Sequence, residues 1–408
     1  MRFNMRPEIC RKGSISKRSD GYWLGTIYYL NEYGQRKRKA FGGKLKKIVM
    51  RKMTDFISDF NRKATGYVYG NKLLKDALLE YMKEIKFFSV RRITYDRCES
   101  LVKNQVIPRL GMKKTGEIVS SDIQKVLYEM MSEGYSYSMV KKTYYLLREF
   151  YRYIVTKGRI NNDPTEGVTL MRKRNFLSAQ GKEIVAKCDE IIVLTDEEIA
   201  IIKKEAFSLK QDGSRRHPHV AACFLMLNTG LRRGEVLGLR NSDIDLKNRA
   251  LYVNRSVGQA RKRIGPEATD EYEIIIGPPK TLSSKRKIPL NDTAIKMIKD
   301  LRNEAYFGEN SPLIPDENGK VLSPNQFSYR YAKLIKACGL TKTGIHCLRH
   351  TFATVLVNGH EKSDGSRVSL PIKQVADLLG HTTTCITERY YVKREPKHLI
   401  GITDDFLL

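Results

Sequence analysis

The sequence has little cysteine and no pattern in what it has. Its seven cysteines, at 10, 98, 188, 223, 338, 347 and 385, are odd in number and include no C-x-x-C pair. That argues against a disulfide framework and against a thiolate zinc module. Long apolar runs are missing as well. No stretch approaches the roughly 18 consecutive apolar residues of a membrane span. The opening "MRFNMRPEICRKGS" lacks the apolar core of a secretory signal. Acidic residues are scarce beside basic ones, 45 against 74, which leaves a formal net charge of +29. A chain this basic repels itself unless it meets a polyanion, so the expected partner is nucleic acid, without a membrane and in the cytoplasm.

What is present divides into segments. At roughly 100–200 residues per domain, 408 residues make two or three domains. Residues 1–65 read as a small basic module, since positions 1–63 alone carry 17 Lys/Arg against 5 Asp/Glu. Turn compositions at Ser19-Asp20-Gly21 and Asn31-Glu32-Tyr33-Gly34 separate three β-type runs. "KLKKIVMRKMTDFISDFNRK" follows, with Leu45, Ile48, Val49, Met53, Phe56, Ile57 and Phe60 at helical spacing. The expectation is a three-stranded sheet on one helix. The charge run Arg36, Lys37, Arg38 and Lys39 would lie on a strand beside exposed aromatics, and a ribbon of that width fits a DNA major groove.

Residues 70–170 have the periodicity of an all-helical domain, closed by the Pro turn in "NNDPTEGV". Tyr144, Tyr145, Tyr151 and Tyr153 are expected to pack inside it. Residues 171–193 read as a basic linker. A last domain, 194–395, opens at "LTDEEIAIIKKEA" with Thr195 or Asp196 as N-cap. It is mostly helical with one β-rich insertion, and residues 396–408 form a tail. The expected fold class is therefore multidomain and mainly α. It combines a small three-stranded β-sheet plus helix, a helical domain, and a mixed, mainly α domain with a β-hairpin insertion.

The last domain carries the chemistry. "NTGLRRGEVLGL" puts Arg232 after a Gly turn with Glu235 one helical turn on. "PPKTLSSKRKIPL" puts Lys280 between two strands. "GIHCLRHTFAT" sets His346 and Arg349 at i and i+3 of a helix, and "LLGHTTTCITERYY" places His381 nine residues before Tyr390. Two guanidiniums can clamp a phosphodiester, a phenol can attack phosphorus once a base takes its proton, and a lysine can protonate the departing oxygen. No cofactor and no metal is needed for such phosphoryl transfer.

Taken together and in this order, these motifs resemble the tyrosine recombinase, or phage integrase, family. The resemblance covers the whole last domain. It implies that Arg232 and Arg349 bind the scissile phosphate and that Glu235 holds Arg232. Lys280 would be the general acid for the 5′-hydroxyl, and His346 the general base or a phosphate ligand. His381 would donate a hydrogen bond to the phosphate. Tyr390 would form the 3′-phosphotyrosine, with Tyr391, ten residues from His381, as the alternative. The long insertion "NGHEKSDGSRVSLP" should be a loop outside the site.

The resemblance also implies a core-binding domain at 70–170 and an arm-type DNA-binding domain at 1–65, like those of integrases from phages and conjugative transposons. The partners it implies are double-stranded DNA at core and arm-type sites, a homo-tetramer on two duplexes, and an accessory excision factor. The setting would be bacterial and nucleoid-associated. Rival readings are a type IB topoisomerase, which uses the same inventory, and a DNA-binding regulator that has lost catalysis. A metal-dependent relaxase built on His217 and His219 is a third, although that pair precedes a helical run rather than a strand.

Overall fold

A computed structural model describes residues 8–31, 34–183, 191–279, 282–340, 344–361 and 367–392. The chain forms two compact units, residues 1–184 and 185–408. No helix among the described residues is long and apolar enough to cross a membrane.

The first unit begins with β1 (Glu8–Lys17), β2 (Trp23–Leu30) and β3 (Arg36–Gly43) in an antiparallel sheet of that order. The helix Lys46–Gly70 packs on one face through Val49 and Met53 against Ile27, all nearly fully buried. Gly25 permits that approach, because a side chain there would meet Met53 and Val49. Three strands cover only part of the helix, so Leu45 and Ile48 of the expected apolar stripe stay exposed.

A helical bundle completes this unit. Its main members are Leu74–Tyr81, Arg92–Leu101, Ser120–Ser132 and Tyr137–Thr156, around one apolar core. Tyr144 and Tyr151 lie in that core and Tyr153 against it. Tyr145 does not; it is exposed, with Lys141 5.7 Å from its ring centroid. Part of the expected linker is also ordered. Lys173–Ala179 is a helix because Phe176 buries itself against Tyr137, ring centroids 5.3 Å apart.

The second unit is built around the helix Ala221–Thr229, buried on nearly every side. Around it pack Asp196–Ala206, Asp292–Glu304, Pro324–Ala337 and Cys347–Asn358. Thr195 caps the first of these in a reciprocal capping box with Glu198. A sheet of β4 (Ile244–Asp245), β5 (Ala250–Val253) and β8 (Arg286–Pro289) lies alongside, and β6 (Ser256–Ile264) and β7 (Glu267–Gly277) form the inserted hairpin. The insertion after Asn358 is more than a loop: β9 (His360–Glu361) and β10 (Arg367–Val368) pair across it. Two short helices, Ile372–Leu379 and Thr384–Tyr391, end the described chain.

Candidate active site

The central helix stops at Gly230, whose φ is +63°. A side chain there would collide with Phe352 and Leu379, so only glycine makes the turn. The turn delivers Arg232 to the N-cap of the short helix Arg233–Leu237. Glu235, one turn in, takes Arg232 Nη1 at 2.7 Å and the Arg232 backbone N–H at 2.9 Å. Glu235 also accepts from Arg286 Nη2 at 3.0 Å. Burial alone would raise the carboxyl pKa, but Arg286 first and Arg232 next hold it down at about 2. Glu235 is a fixed anion between two cations.

The helix Ile372–Leu379 ends at Gly380, and its last carbonyls have no partners within the helix. Arginines supply them. Leu378 O accepts from Arg286 Nε at 2.7 Å, and Leu379 O from Arg349 Nη2 at 2.7 Å. Arg349 Nη1 donates to Gly230 O at 2.6 Å. Two guanidiniums thus sit at the negative end of one helix. Arg349 is 1% exposed. Burial, then the neighbouring Arg232, pushes its pKa down to about 9, which leaves it cationic at neutral pH. Three guanidiniums face one carboxylate, and Arg232, with 36% of its side chain exposed, opens that cationic excess to solvent. The local field calls for an anion.

Three imidazoles surround the arginines. His381 Nε2 lies 3.1 Å from Arg349 Nη2, and its Nδ1 lies 2.8 Å from Thr387 Oγ1. Since a guanidinium only donates, Nε2 accepts and Nδ1 carries the proton. Burial, followed by the charges of Arg349, Arg232 and Arg286, lowers the His381 pKa to about 4. His346, at the N-cap of Cys347–Asn358, has an exposed edge, yet burial of its inner side and then His350 and Arg349 bring it to about 4 as well. His350 stacks edge-on against His346, centroids 4.6 Å apart.

Helix geometry sets the two tyrosines apart. Residues 390 and 391 diverge by about 100° around the axis of Thr384–Tyr391. Thr387 and Tyr391, one turn apart, form the buried inner face. Tyr391 Oη lies 3.0 Å from His350 Nδ1, and its ring stacks parallel to His381 at 6.4 Å. Burial raises the phenol pKa while the Arg349 guanidinium draws it back. Tyr390 is half-buried and packs at the edge of the apolar cluster of Ala353, Val375 and Leu379, to which Tyr391 also belongs. The geometry sets the Tyr391 phenol beside Arg349, with Tyr390, the residue preferred on spacing, next to it on the same helix.

Arg232, Glu235, His346, Arg349 and His381 are gathered in this one site. Lys280 lies outside the described residues; Ser283, three positions on, has its Oγ 3.2 Å from Thr382 Oγ1 beside His381. His217 and His219 belong elsewhere. His217 lies 2.9 Å from Glu205 and His219 contacts Arg330, and among the described residues no group of three or more metal-ligating side chains comes together. Sequence reasoning missed Arg286 and His350. Both stand inside motifs already singled out, but no spacing rule separates Arg286 from Lys285 or Lys287.

A nuclease hands the phosphate it attacks to water. Here the candidate attacking group is a side chain that can keep the phosphate, so the strand can be resealed. Such a site, on a mainly helical domain with an inserted hairpin, defines the class of tyrosine recombinases. The sequence profile of the phage integrase family matches residues 193–398, half of the chain, and the protein belongs to that family.

Among curated proteins, a tyrosine recombinase XerC-like protein of Caldanaerobacter subterraneus subsp. tengcongensis is 27% identical over 403 residues, covering 95% of this chain and 96% of that one. The integrase of Staphylococcus phage L54a is 23% identical, over 78% and 87%. Among solved structures, a Tn1549 transposon integrase in complex with a circular intermediate DNA has a TM-score of 0.63 at 19% identity, covering 82% of this chain and 99% of that one. A lambda integrase dimer bound to a core site gives 0.55 at 19% identity, over 93% and 95%. At such identity the structural likenesses speak to the fold. The relatives favour neither a topoisomerase nor an inactive regulator.

Proposed function

We propose a route for the site-specific DNA recombination that membership of this family entails. Arg232 and Arg349 bind the non-bridging oxygens of a scissile phosphodiester, where the cationic excess around Glu235 is uncompensated. Tyr390, the nucleophile that the spacing from His381 favours, attacks phosphorus and becomes the 3′-phosphotyrosine, with Tyr391 packed beside it as the alternative. His346 and His381 contact the phosphate, and Lys280 protonates the departing 5′-oxygen. The bond energy is stored in the Tyr–DNA link, so a 5′-hydroxyl of a partner duplex reverses the step without ATP or metal. The observation that carries this reading is the buried Arg349 guanidinium, which holds His381 beside the short helix that carries both tyrosines.

The partner is double-stranded DNA. The similar Tn1549 and lambda enzymes were solved on DNA, one lambda structure as a tetramer on a Holliday junction. Exchange of both strand pairs by this chain then takes four protomers on two duplexes. Residues 1–65 serve arm-type sites and 70–170 core sites. Residues 171–193 connect them to the catalytic residues 194–395, and the tail 396–408 docks on a neighbour. An accessory factor sets the direction, and the reaction runs at the bacterial nucleoid in the cytoplasm.

A nicked suicide substrate tests the chemistry. The parent should form a covalent protein–DNA species in EDTA, Tyr390→Phe none, and Tyr391→Phe should still trap DNA. Trapping by Tyr390→Phe, or a DNA-bearing peptide linked at Tyr391, would overturn the assignment.

A further inference from the structure

The helix Arg233–Leu237, with Arg232 at its N-cap, is five residues long. So short a helix is not stable alone, and what it touches decides where Arg232 sits. It lies under the root of the inserted hairpin. Gly234 and Gly238 stand one turn apart on it, and neither has a positive φ, so space rather than backbone conformation calls for glycine. A Cβ at Gly234 would stand 2.5 Å from Val257 O and 2.6 Å from Ser256 Oγ. One at Gly238 would stand 2.9 Å from Arg255 O. The backbone of residues 255–257 therefore rests directly on the helix.

That strap is fastened at Arg255. Its Nε donates to Gly238 O at 3.3 Å, and its Nη2 donates to Asp243 Oδ2. Asp243 is buried and also accepts from Asn254 Nδ2 at 3.0 Å and from the Arg240 backbone N–H at 2.8 Å. Val257 completes the seat in the same core as Val236 and Leu237. Farther along β6, Ser323 Oγ donates to Gln259 Oε1 at 3.4 Å, and Arg233 Nη1 donates to Ser328 Oγ at 2.7 Å. Hairpin root, Arg232 helix and helix 324–337 are thus joined. Glu235 fixes the Arg232 side chain relative to its helix, and the strap fixes the helix relative to the domain.

We propose that Arg255 is a positioning residue for strand cleavage: it holds the strap 255–257 on the Gly234–Gly238 face and so places the Arg232 guanidinium. The inference rests on Arg232 being a ligand of the scissile phosphate. A planar fork meets phosphate oxygens only from a narrow range of places, and a shift of about 1 Å can cost about 100-fold in rate. A lysine at 232, a point charge on a flexible stem, is far less sensitive to where the helix stands.

That difference supplies the test, a double-mutant cycle in single-turnover cleavage, with core-site binding and urea unfolding followed in parallel. Arg255→Gln removes the ties to Gly238 and Asp243. Gly234→Ala pushes the strap off without changing any charge, which separates positioning from the loss of one cation near DNA. Each should slow cleavage about 10-fold or more in the parent while binding stays within about threefold. In an Arg232→Lys background each should cost less than about twofold, because the fork they place is already gone. Should Gly234→Ala fail to fold, Arg255→Gln carries the test by itself. Arg255→Gln within about threefold of the parent, or the same fractional loss in both backgrounds, overturns the proposal. An Arg232→Lys enzyme that cleaves like the parent fails the underlying reading instead, so the two failures are distinguishable.

Discussion

Glu235 and Arg286 form a buried ion pair, 3.0 Å between Oε2 and Nη2, with side chains 2% and 6% exposed. Neither end is free to turn away. Arg286 is anchored to Leu378 O and Ser284 O, and Glu235 to Arg232. The pair therefore ties strand β8, the end of helix 372–379 and the Arg232 turn into one frame. It holds Arg232 in place through Glu235.

Glu235→Gln is the direct test of that frame. The amide keeps the volume and removes the charge, leaving two guanidiniums near a third with no anion among them. Breaking one partner of a buried pair costs about 3–5 kcal/mol. The expected result is a loss of that order in urea unfolding, and weaker cleavage in any fraction that stays folded. Stability within about 1 kcal/mol of the parent would show that the pair contributes little, since that is the range of an exposed ion pair.

Arg232→Lys separates charge from geometry. A lysine at this N-cap preserves the cation but not the planar fork that reaches Glu235 and a phosphate oxygen together. DNA binding should persist while cleavage falls by about 10²–10³-fold, the range for losing one preorganised donor at a developing charge. Parental cleavage by the lysine variant would remove Arg232 from the phosphate.

How much of this was legible in the sequence depends on what each feature rests on. The sheet-plus-helix module followed from turn residues at 19–21 and 31–34, because short-range rules decide where strands break. The residues at 232, 235, 346, 349 and 381 followed from motif order. The choice between Tyr390 and Tyr391 rests in the sequence on spacing from His381 alone; burial adds that Thr387 and Tyr391 share the inner face of their helix and Tyr390 lies half-buried beside them. Arg286 was invisible because its role depends on helix carbonyls 92 residues away in sequence. The helix at 173–179 went unread because a single phenylalanine anchors it.

Substrate binding should move protons. In the free protein His381 Nε2 accepts from Arg349, and the pKa near 4 keeps the ring neutral at pH 7. To donate to a phosphate the ring needs a proton on Nε2, and an adjacent anion raises the pKa toward that form. The sign follows: the free protein releases this proton above about pH 4 and the complex holds it to higher pH. Affinity for core-site DNA should then strengthen as pH falls between the two values. Calorimetry in buffers of different ionisation enthalpy should report proton uptake, reduced in His381→Asn. Zero uptake would mean that His381 stays neutral on the phosphate.

The four basic residues of β3 should not contribute equally to DNA binding. Side chains alternate along a strand. Gly25, Ile27 and Tyr29 face the helix 46–70, and their cross-strand partners Phe41, Lys39 and Lys37 share that side. Arg36 and Arg38 project from the opposite face, where the Arg36 guanidinium sits 5.0 Å from the Tyr28 ring centroid. That open face is the one a groove can reach. Replacing Arg36 and Arg38 with Gln should flatten the salt dependence of arm-site binding by about 0.9 in log–log slope for each phosphate that is no longer neutralised. Replacing Lys37 and Lys39 should change it less, by weakening only the general field. Equal slopes for the two double variants would show that the sheet's faces do not decide which residues meet DNA.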